Sequence, residues 1–133
     1  MTTYIFDACA LIIFLQQEEG FEKAVEILQN PNNIVLMHAV TVGEVYYDAL
    51  KKSEKYAELV LSNMEELPII VRWDIDKQLL EIIGKYKVKF KMSYADSYVL
   101  AMAEINNAMV VSTDHHEFDA VEKNTELQFF WLR

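Results

Sequence analysis

The sequence predicts an α/β fold built on a mostly parallel central sheet, and three observations carry that prediction. Short strand-like segments are apolar along nearly their whole length, as strands buried on both faces must be. Segments of helical periodicity separate them. Only three Gly and two Pro interrupt the 133 residues, so short connections and one domain spanning residues 1–133 are expected.

Thr2-Thr3-Tyr4-Ile5-Phe6 is rich in β-branched and aromatic residues and reads as the first strand. Asp7 ends it, and an apolar helix follows from about Ala8. A second helix fits Phe21 to Gln29, with Phe21, Ala24, Val25 and Leu28 on one face, and Asn30-Pro31-Asn32-Asn33 stops it. Ile34 to Met37 is a short buried strand. Thr41-Val42-Gly43-Glu44 has the spacing of a capping box and is expected to open the next helix, and helical periodicity continues from Ser53 to Met64. Pro68 to Val71 reads as a third strand and Asp74 to Ile83 as a helix. Alternation in GKYKVKFKM suggests an exposed basic edge of a loop or strand. A helix carrying Asp96 follows, then a strand at Met109 to Ser112, a short helical turn near Glu117, and a last strand at Gln128 to Trp131.

Hydrophobic content of 53% with 25% charged residues is globular composition. The apolar run Ala8 to Leu15 is too short to span a bilayer, and no basic segment or small-residue cleavage site precedes it, so neither membrane insertion nor a signal peptide is expected. The single Cys9 cannot form an internal disulfide, which fits a reducing, cytoplasmic compartment. A net charge of −9 argues against coating nucleic acid by bulk electrostatics, but not against a nuclease whose acids are its site.

Asp96 raises the functional question. On a helix it shares a face with Val99, Leu100 and Ala103, and burying a lone carboxylate there is costly unless something neutralises it. Asp7, Glu44 and Asp114 join it at element ends: two follow strands, and two lie in first helical turns. Each has a structural reading, as a helix cap or a turn residue. In a parallel α/β sheet, however, ligand sites form beyond the carboxyl ends of the strands, where strand order reverses. Like charges about 4 Å apart repel by roughly 4 kcal/mol at an effective dielectric of 20, so a cluster of this kind needs a cation or bound protons. Oxygen-only ligands suit Mg²⁺ or Mn²⁺.

The blocks YIFDACALI, TVGEVYYDAL, KMSYADSYVLAMA and MVVSTDHHEFDAV keep an order of strand-Asp, helix-Glu, helix-Asp and strand-Ser-Thr-Asp. That order resembles the PIN-domain family of metal-dependent ribonucleases, over nearly the whole chain, and is most similar to its VapC-type toxins. The resemblance implies a three-layer α/β/α fold and divalent-metal-dependent hydrolysis of RNA phosphodiester bonds. It assigns Asp7, Glu44, Asp96 and Asp114 as catalytic, metal-site acids, with Thr113 and Glu117 auxiliary. His116 stands where many relatives carry a further acid, which leaves the fifth acid open between Glu117 and Asp119.

Lys85, Lys87, Lys89 and Lys91 run towards Asp96 and are the candidate RNA-binding residues. The resemblance further implies a cognate antitoxin and a homodimer, with Leu11, Phe14, Leu15, Tyr46, Tyr47 and Leu50 as candidates for an antitoxin groove. The competing reading is a PIN-like domain that no longer cleaves and serves as an RNA- or protein-binding module. A haloacid-dehalogenase-like phosphatase is disfavoured by Cys9, which stands where a second Asp is required, and a response-regulator receiver by His38 at the mid-chain strand end.

Overall fold

Successive residues of a strand point to opposite faces, and here both faces are apolar, so both must be covered. The computed structural model describes residues 1–133. In order the elements are β1 (Thr2–Phe6), α1 (Ala8–Gln16), α2 (Phe21–Gln29), β2 (Asn33–His38), α3 (Ala39–Leu50), α4 (Glu54–Glu66), β3 (Ile70–Arg72), α5 (Lys77–Lys89), α6 (Tyr94–Asn106), β4 (Met109–Ser112), α7 (His115–Asn124) and β5 (Phe129–Trp131).

The strands form one sheet in the order β3-β2-β1-β4-β5, and every neighbouring pair is parallel. Phe6, Val35, Met37 and Val111 face a core completed by α1 to α4. Their strand neighbours Ile5 and Val110 face a second core completed by α5, α6 and α7. The result is the expected three-layer α/β/α arrangement, with β1 in the middle. The chain leaves β1 towards β2 and β3, then returns to lay β4 and β5 on its other side. The reversal of order therefore lies between β1 and β4.

Several boundaries differ from the sequence reading, each for a local reason. Helix α3 begins at Ala39 because His38 caps it, its Nδ1 accepting from Val40 N at 3.0 Å while Nε2 donates to Asp74 O at 2.8 Å. The capping-box reading of Thr41 and Glu44 is thereby overturned. Pro68 lies outside β3, whose pairing begins where Ile70 meets Leu36. Helix α5 starts at Lys77, capped by Asp76, and runs to Lys89. The apolar spacing Leu79, Ile82, Ile83, Tyr86 overrides the alternation of GKYKVKFKM, and Val88 is left 90% exposed. The expected short turn near Glu117 is a ten-residue helix.

Candidate metal centre at the carboxyl edge of the sheet

Asp7 ends β1 and Asp114 follows β4, so these two acids arise at the carboxyl ends of adjacent central strands. Asp7 is 2% exposed and caps α1, its Oδ1 accepting from Ala10 N at 2.8 Å. Ser112 Oγ donates to Asp7 Oδ2 and accepts from the Asp114 backbone N–H at 2.9 Å. One buried hydroxyl thus ties the end of β1 to the start of α7. Asp114 caps α7, its Oδ1 accepting from Glu117 N at 3.1 Å.

Asp96 lies in the first turn of α6, whose N-cap Ser93 accepts from Asp96 N at 3.1 Å. The cap is made by the Ser93 hydroxyl, so the Asp96 carboxylate is not needed as a cap and lies with the acids of α7. One carboxylate oxygen from each of Asp96, Asp114 and Glu117 lies within 4.8 Å of the others, and all three residues are half-buried. Glu44, on the second turn of α3, is half-buried as well and feels the charge of Asp96. Buried oxygens of Glu44 and Glu117 have no hydrogen-bond partner.

The electrostatics of the cluster follow from this crowding. Burial, with further push from Asp96 and Asp114, raises Asp7 to about 7 despite its hydrogen bonds from Ser112 and Ala10. Burial and the Asp96 charge raise Glu44 to about 7. Burial, with Glu117 and Asp114 nearby, raises Asp96 to about 6. Cys9, in the first turn of α1, is pushed up to about 12 by burial and by Asp7, Asp114, Asp96 and Glu44 together. The thiol is therefore inert at neutral pH, and it lies near enough to feel all four of those charges.

Oxygen donors alone, crowded at helix starts and incompletely hydrogen-bonded, match what a hard divalent cation such as Mg²⁺ or Mn²⁺ requires. The helix dipoles of α6 and α7 favour the carboxylates in their first turns but cannot cancel so many of them. The donor set fits such an ion.

Other anticipated residues fall elsewhere. Asp119 is exposed and pairs with His115 at 2.8 Å, so of the two possible fifth acids only Glu117 joins the cluster. The hydroxyl that organises the site belongs to Ser112, while Thr113 is half-buried and its carbonyl accepts from His115 N at 3.0 Å. Lys85 and Lys89 line a cavity of about 900 Å³ with Thr2, Asn107, Met109 and Gln128, at the amino ends of the strands. That is the pole of the sheet opposite the acids. Lys87 is exposed on α5, and only Lys91, exposed in the linker before Ser93, approaches Asp96 in sequence. Leu11 is wholly buried, and Phe14, Leu15 and Tyr46 pack against the core; Tyr47 at 53% and Leu50 at 40% remain exposed.

Comparison with known proteins agrees with this fold. The model of the PIN domain matches residues 4–124. No match is found among curated proteins by sequence. Among solved structures, VapBC-1 from nontypeable Haemophilus influenzae is similar with a TM-score of 0.73 at 19% identity, covering 98% of each chain. VapBC2 from Rickettsia felis bound to a DNA fragment from its promoter gives 0.75 at 16% identity, again over 98% of each chain. VapC20 of Mycobacterium tuberculosis, a sarcin-ricin loop cleaving toxin, gives 0.70 at 12% identity, over 94% of this chain and 98% of that one. At these identities the structural likeness establishes the fold.

Proposed function

The chain belongs to the PIN-domain family, and from that premise we propose that it is a divalent-metal-dependent endoribonuclease of the VapC toxin type. The observation that carries this reading is the meeting of Asp96, Asp114 and Glu117 within 4.8 Å, beside Asp7 and Glu44, at the point where strand order reverses. A structural role would account for each cap singly. It does not account for five carboxylates gathered together, with the proton affinities of Asp7, Glu44 and Asp96 raised and buried oxygens of Glu44 and Glu117 unpaired.

Asp96, Asp114 and Glu117 are the residues that would hold a Mg²⁺ or Mn²⁺ ion, with Asp7 and Glu44 completing the negative pocket around it. Such an ion supplies charge neutralisation at the scissile phosphate and lowers the pKa of an attacking water. The chain's own residues provide the rest. Ser112 fixes the orientation of Asp7 and the backbone of Asp114, so that two ligand-bearing elements keep one spacing. Ser93 holds the first turn of α6 and with it Asp96. In-line attack by water on phosphorus, breaking the P–O3′ bond, leaves 5′-phosphate and 3′-hydroxyl ends and requires no nucleophilic side chain.

Similarity to VapBC complexes and to a toxin-antitoxin complex from Klebsiella pneumoniae supports a cognate antitoxin as partner. Exposed Tyr47 and Leu50 on α3 remain available to it, and an antitoxin Arg or Lys reaching the carboxylates would compete with metal. We propose a homodimer on the same family grounds, and a cytoplasmic location from the single Cys9. No helix is long and apolar enough to cross a membrane.

The test is cleavage of single-stranded and structured RNA by wild type and Asp96→Asn, with Mn²⁺ and with chelator. Metal-dependent cleavage lost in the variant supports the reading. RNA binding without cleavage under every metal condition would instead support a non-catalytic binding module.

A further inference from the structure

One residue past Asp114, and level with Ser112 in the β4–β5 pairing, lies a set of stacked rings that the metal site does not use. Phe129 and Trp131, two residues apart on β5, stack with centroids 5.3 Å apart and planes 10° from parallel. The imidazole of His115 lies on Trp131 at 3.8 Å and 21°. Trp131 is itself held, its Nε1 donating to the Glu122 carboxylate at 3.1 Å.

Both nitrogens of His115 are engaged, Nδ1 with Asp119 Oδ1 at 2.8 Å and Nε2 with the carbonyl of Arg133 at 3.0 Å. The side chain is nevertheless 47% exposed. One ring face rests on Trp131 and both nitrogens are taken, so what remains open is the other ring face and the carbon edge. His115 is thus neither a free proton carrier nor a free ligand. It offers a flat surface, immobilised on three sides, at the residue directly after Asp114.

We propose that the outer face of His115 is a stacking platform for an unpaired nucleobase of a single-stranded RNA whose backbone is held at the acid cluster. The proposal rests on the ribonuclease reading and adds a substrate contact to it. A base on the outer face of His115 would repeat the close ring-on-ring contact that His115 makes with Trp131. Every base has such a face, so the platform favours unpaired bases over paired ones without reading sequence. It also gives an acidic protein a hold on RNA that does not depend on phosphate charge.

Anisotropy titration of a labelled single-stranded oligoadenylate in millimolar Ca²⁺, with its integrity checked on a gel, tests the platform. The comparison is wild type, His115→Ala, His115→Phe, and an abasic oligonucleotide of equal length. His115→Ala is expected to weaken binding by roughly 5- to 100-fold. His115→Phe, which keeps a ring and loses the hydrogen bonds, is expected to restore affinity to within about threefold of wild type. The abasic strand should bind wild type as weakly as oligoadenylate binds the alanine variant.

Unchanged affinity in His115→Ala overturns the platform, as does a phenylalanine variant as weak as alanine, or a wild type that does not bind the oligonucleotide. Mn²⁺-dependent cleavage with a KM indifferent to His115→Ala removes the platform and leaves the nuclease. Base-dependent binding with no cleavage under any metal leaves the platform and removes the nuclease.

Discussion

Asp96 shares its helix face with Val99, Leu100 and Ala103, all buried, yet its own carboxylate meets Asp114 and Glu117 instead of apolar side chains. Without metal that meeting is repulsive. Asp96→Asn should therefore raise the melting temperature in chelator, abolish the stabilisation expected of wild type in millimolar Mn²⁺, and lower RNA cleavage by at least about 100-fold. Scanning calorimetry and a cleavage assay check these outcomes. The pH dependence follows from the same crowding. Asp7 and Glu44 lie near 7 and Asp96 near 6, above ordinary carboxylates, so between about pH 4 and 7 the metal-free native state binds more protons than the unfolded chain. Its stability must then fall as pH rises through that window, by on the order of a few kcal/mol, and the melting temperature at pH 5.5 should exceed that at pH 8. Mn²⁺ binding runs the other way, because the ligands must lose protons, and calorimetric titration should show affinity increasing from pH 5.5 to 8. Ser112→Ala removes the bridge between Asp7 and the Asp114 backbone and should cost about 1–3 kcal/mol in denaturant unfolding, with weaker Mn²⁺ binding. The positions of Asp7, Asp96 and Asp114 were legible because strand ends and first helical turns can be read from periodicity. The Ser112 bridge was not, since it exists only because β1 and β4 are neighbours, and Glu117 could not be told from Asp119 until the start of α7 was known.

Elements were more legible than their ends. The strands and most helices were anticipated in order, because apolar segments and the spacing of buried positions are local signals, while α7 was read only as a short turn. The failures came where two local signals competed. Tyr86, Val88 and Phe90 alternate like a strand, but Leu79, Ile82, Ile83 and Tyr86 already define a helical face, and packing of α5 against α6 decided for the helix. That outcome carries Lys85 and Lys89 to the amino pole of the sheet, and charge reversal there should alter RNA cleavage little: Lys85→Glu with Lys89→Glu is expected to keep kcat/KM within about threefold of wild type. A turn supplies the opposite lesson, a small residue with a large effect. Gly20 caps α2 at a φ of +96°, and a Cβ there would lie 2.5 Å from the Leu132 carbonyl oxygen. Gly20→Ala thus combines backbone strain with a clash against main chain, and should destabilise by about 2 kcal/mol or more in urea unfolding.

At the scale of the molecule, strand order joins residues far apart in the chain. β1 pairs with β2 on one side and with β4 on the other, so Phe6 stands beside Val111 and the acids that follow them converge. A sheet whose central strand waits for a partner more than a hundred residues downstream is dominated by non-local contacts, which slows folding relative to a helical bundle of equal length. There is also a consequence for the chain as it is made. A nascent polypeptide already holds Asp7, Glu44 and Asp96 by its hundredth residue, but Asp114 and Glu117 are added only afterwards, and the Ser112 hydroxyl that aligns Asp7 arrives with them. Until that segment has emerged and docked against β1, three carboxylates lack the two that complete the centre. Synthesis itself is a delay line: Asp7, Glu44 and Asp96 wait for Asp114 and Glu117 before the cluster is whole.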